Sequence, residues 1–269
     1  MSACSGLAPE AGGIKIDGLS VELGGKSILS EVSFEIEPGS FLYVIGRNGA
    51  GKSTLCKCVA GVIRGYRGEL FIGGRQASSL SARDRSRAVA YVPQSSPGDV
   101  PYIVSDFMEM SRYPWRGMAS EADDRRAVSE AMELTDITFL AGRRLSSLSG
   151  GERQKVMIAS AIAQETRTIL MDEPTTYLDY AHQVETVDVM ARVNRERGVT
   201  IMVVTHDVNL AMALSGKVVA LAGGRVLWTG LPSGLLEPGR LEGIFGVPFR
   251  HYGSESGGGQ ILAPQRSRL

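Results

Sequence analysis

Apolar residues recur along this chain with two periods, and the changes between them mark its elements. From Ile14 to Leu23 apolar and polar positions roughly alternate, as in a strand with one covered face, and Val32 to Ile36 is a second β-type stretch. Phe41 to Ile45 is apolar throughout, the pattern of a strand buried on both faces of a parallel sheet. It runs directly into a glycine-rich turn, after which a helix is predicted from Lys52 to about Val62. Glu69 to Ile72 and Ala88 to Val92 read as a further strand pair. Beyond Val92 the character changes. Pro93, Pro97 and Pro101 break regular structure, and helical spacing then covers Ile103 to Met110, Glu121 to Leu134 and Asp136 to Leu140. Strand-type runs resume at Thr168 to Met171 and Thr200 to Val204, with helices predicted over Ala181 to Glu196 and Val208 to Leu214.

Strands alternating with helices predict an α/β fold around a parallel sheet. A single domain is expected over 14–250, with core segments at about 14–94 and 148–250 and a mostly helical lobe inserted at about 95–147. The Gly/Ser-rich stretch from Gly253 onward predicts a partly disordered tail over 251–269. No internal repeat is visible, so one chain carries one copy of each of its motifs.

The bulk properties narrow the function classes. Lys plus Arg and Asp plus Glu both total 29 in 269 residues, which leaves no net field to gather nucleic acid, and none is expected as a partner. The clusters Arg83, Arg85, Arg87 and Arg125, Arg126 read as solvated helix faces. No apolar run approaches the roughly eighteen residues of a membrane helix. Met1 to Gly13 lacks the basic end and apolar stretch of a secretory signal. A cytoplasmic location is therefore expected, with any membrane role exercised through a partner. Cys4, Cys56 and Cys58 lack zinc-like spacing, and Cys56 and Cys58, two apart on a helix, face different directions; they read as packing residues.

The densest chemistry lies in Gly46-Arg47-Asn48-Gly49-Ala50-Gly51-Lys52-Ser53-Thr54, which fits the phosphate-binding P-loop. A triphosphate concentrates negative charge and needs many donors close together. Gly46, Gly49 and Gly51 let backbone N–H groups turn inward without Cβ clashes, and the helix beginning at Lys52 aims its positive end at the same place. Lys52 is expected on the β and γ phosphates and Ser53 on Mg²⁺. A decoy, Gly25-Lys26-Ser27, lacks the upstream glycine and the strand-to-helix setting. The run Thr168 to Met171 ends in Asp172 and Glu173, which a strand carries to the sheet edge where ligands of parallel α/β proteins bind. Asp172 is expected to hold Mg²⁺. Strand ends are often acidic merely because they are solvated. Pro174 and Asp179 downstream, with a P-loop upstream, favour the functional reading.

Together with Leu148-Ser149-Gly150-Gly151-Glu152, the P-loop resembles the motif set of ATP-binding-cassette (ABC) ATPases, over nearly the whole chain from Ile14 to about Val247. The resemblance implies a P-loop NTPase of RecA-like topology, with a parallel core, an antiparallel β subdomain and an inserted helical subdomain. It implies ATP and Mg²⁺ as cofactors, with Thr54 on the α phosphate and Glu173 as general base. Gln94, in Tyr91-Val92-Pro93-Gln94, is similar to the Q-loop glutamine that meets Mg²⁺ and the attacking water. His206, in Val204-Thr205-His206-Asp207, is similar to the switch histidine on the γ phosphate, whereas His182 and His251 have no such context. Ser149 suits a helix cap. In the family, Ser149, Gly150 and Gly151 correspond to the motif that faces the γ phosphate on the opposite subunit, and Asp179 to an aspartate crossing the same interface. A homodimer with ATP sandwiched between subunits is therefore implied.

The string Asp172-Glu173-Pro174-Thr175-Thr176-Tyr177-Leu178-Asp179-Tyr180-Ala181-His182-Gln183 resembles the ATPases of importers for iron–siderophore complexes, haem and vitamin B12. So do Arg112-Tyr113-Pro114-Trp115 and the ending Leu241 to Val247. Such ATPases sit beneath integral membrane permease subunits and serve a substrate-binding protein indirectly. The lobe is the expected permease surface, with Tyr113 and Trp115 either anchors there or packed inside. Another transporter class, or an ABC ATPase that moves no solute, stays open on the sequence. One departure is Leu23, where family members place an aromatic residue on the adenine; GTP is expected to compete unusually well, and a competition binding assay showing strong ATP preference contradicts this.

Overall fold

The alternating stretch at the start of the chain forms β1 (Ile14–Leu23), which pairs antiparallel with β2 (Lys26–Ile36) across the turn at Gly24 and Gly25. The computed structural model describes residues 12–94, 101–176, 178–213, 216–253 and 260–265. Cys4, most of the stretch read for a secretory signal, Pro97, Tyr177 and Leu214 lie outside the described residues. After β3 (Phe41–Ile45) and α1 (Lys52–Ala60), β4 (Tyr66–Ile72) joins the free edge of β1, and the two-residue β5 (Arg75–Gln76) follows it. These give an antiparallel sheet of order β2-β1-β4-β5.

Next come α2 (Ala82–Ala88) and β6 (Val89–Val92), then the lobe helices α3 (Val104–Met110) and α4 (Glu121–Leu134). The chain continues through α5 (Gly150–Ala163), β7 (Thr168–Asp172), α6 (Tyr180–Arg197), β8 (Thr200–Thr205) and α7 (Val208–Ala213). It closes with β9 (Lys217–Ala222), β10 (Arg225–Gly230), α8 (Arg240–Phe245), β11 (Phe249–Gly253) and β12 (Gln260–Pro264).

The second sheet has the order β10-β9-β3-β8-β7-β6, parallel except for β10. Its parallel strands are apolar at almost every position because both faces are covered. Along β3, Phe41, Tyr43 and Ile45 enter one core layer while Leu42 and Val44 enter the other. Neighbouring β8 repeats the split, with Ile201 and Val203 on one side and Met202 and Val204 on the other.

Several expectations are corrected. The strands around Glu69–Ile72 and Ala88–Val92 are not a pair: β4 bonds to β1 and β6 bonds to β7, in different sheets. The difference is written in their burial, since β4 begins with the half-buried or exposed residues Tyr66 to Glu69 whereas Val89, Ala90 and Val92 are all buried. The helix expected over Asp136–Leu140 is a single 3₁₀ turn, Thr138–Leu140, because Asp136 adopts a left-handed φ of 52° just after α4. β12 pairs with β11, and Leu262 is buried, its backbone bonded in both directions to the amide of Asn209 on α7 (2.8 and 3.0 Å).

Arg83, Arg85 and Arg87 are not a solvated face either. Arg85 is buried and donates to Ala77 O (2.7 Å), while Arg83 reaches the carbonyls of Pro114 and Arg116 in the lobe. Arg112 makes a second joint between lobe and core. It is 5% exposed, pairs with Asp124 (2.8 Å) and Glu165 (3.0 Å), donates to Ala163 O (2.7 Å) and stacks on Trp115. Cys56 and Cys58 are buried in the same layer, and burial pushes the Cys58 thiol up to about 11, with Arg85 opposing. Packing is thus what these thiols do.

Candidate nucleotide site

Adjacent strands of the parallel sheet end together, and their ends carry the chemistry. Register aligns Ile45 with Thr205, Val204 with Asp172, and Val92 with Met171. The residues just beyond β3, β8, β7 and β6 (Gly46, His206, Glu173 and, after Pro93, Gln94) therefore leave one edge of one sheet.

Gly46 fixes the loop. Its φ is 154°, and a Cβ there would fall 2.2 Å from Leu221 O on β9, so no side chain fits. At Gly51, with φ 98°, a Cβ would meet Leu29 Cδ2 at 2.5 Å. No side chain caps the start of α1, leaving its first N–H groups as donors facing the loop. Around this turn Asn48 and Gly49 are exposed, Ala50 is buried, and Thr54 lies in the first turn of α1. The Arg47 guanidinium lies against Gly246 at the end of α8, whose Cβ would approach it to 2.7 Å.

Lys52, 6% exposed, bends back over the loop, donating to Gly46 O (2.8 Å) and Arg47 O (3.1 Å), with its Nζ 3.9 Å from Glu173 Oε1. Burial holds its ammonium below the usual lysine range, opposed by Glu173 and Asp172. Ser53 Oγ donates to Asp172 Oδ1 (2.9 Å) and Tyr91 OH to Asp172 Oδ2 (3.4 Å). Glu173 takes a left-handed φ of 52°, unusual for a residue with a Cβ, and is held there by its N–H bond to Val204 O (2.8 Å). Its Oε2 accepts from His206 Nδ1 (2.8 Å) and Thr176 Oγ1 (3.2 Å). His206 is half exposed, while Glu173 is buried at 6%.

Asp172 is 2% exposed. Burial raises its carboxyl above the usual carboxylate range and the Glu173 charge adds to this, against the bonds from Ser53 and Tyr91. The folded chain then holds that proton more tightly than the unfolded chain, so stability falls as pH rises through and beyond the ordinary carboxylate range. Asp172→Asn keeps both contacts, since a hydroxyl can also accept. We expect it to raise the melting temperature of the nucleotide-free protein at pH 7, at about 2–4 °C per kcal/mol, while abolishing Mg²⁺-dependent phosphate release. A thermal melt showing no gain contradicts the assignment of burial strain to Asp172.

Other predicted residues gather elsewhere. Ser149 caps α5 in a capping box: Glu152 N–H donates to Ser149 Oγ (3.2 Å) and Ser149 N–H to Glu152 Oε2 (2.8 Å). Ser149 and Gly150 are exposed, with Gly151 in the same first turn. Asp179 caps α6, and the loop before it is held by Gln183, whose amide donates to Thr175 O (3.3 Å) and Leu178 O (3.1 Å). Gln94 is exposed beyond β6, and Leu23, at the end of β1, is 44% exposed. Sequence reasoning missed Tyr91 and Thr176. Tyr91 was legible only as the residue before the buried end of β6, and Thr176 as a hydroxyl three residues beyond Glu173.

A parallel sheet with a P-loop after one strand and a buried Asp–Glu pair after another, two strands away across β8, defines a P-loop nucleoside triphosphatase. The ABC transporter family matches residues 29–176. The hemin import ATP-binding protein HmuV of Rhodococcus jostii is 35% identical over 255 residues, 95% of this chain and 87% of that protein. Among solved structures, a putative metal-chelate type ABC transporter in an inward-facing conformation aligns with a TM-score of 0.80 at 26% identity, covering 94% of this chain and 97% of that one. The dimeric bacterial ABC transporter cassette MJ0796 aligns at 0.72 and 26%, covering 81% and 98%. The chain belongs to the ABC transporter family, as a subunit that hydrolyses ATP. No described helix is long and apolar enough to cross a membrane.

Proposed function

We propose that this ATPase energises import of haem, an iron–siderophore complex or cobalamin through a separate membrane permease, from the cytoplasmic face of the membrane and in indirect partnership with a substrate-binding protein. The site supports an ATPase in which Glu173 orients and deprotonates the attacking water. Thr176 and His206 hold one of its oxygens, leaving the other toward Lys52 and the phosphates. Lys52 is freed from Gly46 O and Arg47 O to bind the β and γ phosphates, and His206 carries the γ phosphate contact to Glu173. The hydroxyl of Ser53 and the carboxylate of Asp172 are hard oxygen donors that suit Mg²⁺, with Gln94 joining them, and the ion neutralises charge on the phosphates when bound. The backbone of the loop 46–54, with the first-turn amides of α1, supplies the remaining donors to the phosphates.

The observation that carries the dimer is the placement of the second motif. Ser149 and Gly150 are exposed at the N-terminus of α5, and Asp179 is exposed at that of α6. One chain bears one of each, so a head-to-tail pair completes two sites. The permease reading is supported by the lobe, where Tyr102, Met110, Tyr113, Arg116, Val128 and Met132 are among the residues lining a cavity of about 1000 Å³. Tyr113 is 69% exposed there and free to anchor a partner helix. Trp115 is half-buried instead, its indole N–H donating to Gln164 O (2.7 Å). Gentle isolation from native membranes tests the proposal: an equimolar many-helix permease is expected, and recovery only from the soluble fraction, or on ribosomes or DNA, overturns it.

A further inference from the structure

The N-terminal ends of α5 and α6 meet at His182, a residue to which the motif set gives no role. Its backbone N–H donates to Asp179 Oδ1 (2.9 Å), and its ring Nδ1 donates to the same oxygen (2.8 Å). Asp179 is thus helix cap and ring anchor at once. The ring faces Gly151: a Cβ there would lie 3.5 Å from the ring Cγ and 3.6 Å from Cδ2, ordinary contact distances. Gly151 sits in the first turn of α5, where N–H groups point out of the helix as anion donors.

The two elements are also joined and braced by ion pairs: Glu152 on α5 pairs with Arg143 (3.1 Å), and Glu185 on α6 pairs with Lys155 on α5. The ring, tied to Asp179, is only partly exposed.

We infer that His182 is a positioning residue of the ATP-bound dimer: its ring ties Asp179 to the start of α5, so that the two elements meeting the partner's nucleotide move as one piece. The inference rests on the proposed dimer. A ring that merely fills space over Gly151 would not be rescued by a smaller side chain that keeps a donor for Asp179.

The test uses the full chain carrying Glu173→Gln and follows dimerisation by light scattering against Mg-ATP concentration. His182→Ala and His182→Asn are added separately. His182→Ala is expected to raise the ATP concentration for half-dimerisation by about two- to tenfold, the size of one lost hydrogen bond. His182→Asn offers an amide donor to Asp179 and is expected to recover most of that loss. Curves for His182→Ala that overlie the parent overturn the inference and leave the dimer intact. Equal losses in both variants also overturn it. A parent that never dimerises fails the dimer reading itself, a result distinct from either.

Discussion

Glu173→Gln stops turnover and leaves ATP bound. Glutamine preserves the size of a side chain that is 6% exposed, and its amide oxygen can still accept from His206 and Thr176. What it loses is basicity. Removal of a general base costs about 10²–10⁴ in rate, and we expect kcat to fall within that range while ATP affinity changes little. On the proposed dimer, whose interface hydrolysis releases, the variant should accumulate in Mg-ATP at twice the 28.8 kDa of one chain. Light scattering with a nucleotide-release assay checks both halves. A variant that stays monomeric and binds no nucleotide shows that Glu173 has been misplaced in the site.

Lys52→Ala should do the opposite and weaken binding. The ammonium is held over the loop by two carbonyls and lies 3.9 Å from Glu173 Oε1, so it already faces the place where phosphate charge concentrates. Charge-assisted bonds of this kind are worth about 1.5–3 kcal/mol each. One such bond lost corresponds to a fall in ATP affinity of roughly 10- to 100-fold, and hydrolysis should become undetectable. Lys52→Arg is not expected to rescue it, since a planar fork cannot occupy the space of a compact point charge. Titration calorimetry giving wild-type affinity for Lys52→Ala contradicts the role assigned to Lys52.

The nucleotide edge was legible in the sequence because its information is local. Five apolar residues before Gly46 specify a strand buried on both faces, and the run before Asp172 does the same. Strands that run parallel in one sheet deliver the next residues of each to the same edge. Contacts between distant segments were not legible. Nothing local says that β4 joins β1 while β6 joins β7, or that Tyr91 reaches Asp172. The first half of β2, Lys26 to Glu31, carries only a faint apolar pattern because it is mostly exposed or half-buried. Three arginines make α2 resemble a solvated face, yet the Arg85 guanidinium finds the Ala77 and Cys58 carbonyls inside. Nor does the sequence show that Leu262 bonds to the amide of Asn209, since the two lie far apart along the chain. His182 has no catalytic context in the sequence, because Gly151, which its ring faces, lies far away along the chain.

Hydrolysis of ATP at Glu173 should drive uptake of an iron–siderophore complex, haem or cobalamin through a permease. This is measured most directly as cargo accumulation by sealed vesicles holding the protein with its co-isolated permease and binding protein, with ATP on the side of the ATPase. Accumulation is expected to require hydrolysable ATP and to disappear with Glu173→Gln. Steady ATP turnover with no accumulation of any of these cargoes, or full accumulation with Glu173→Gln, contradicts it.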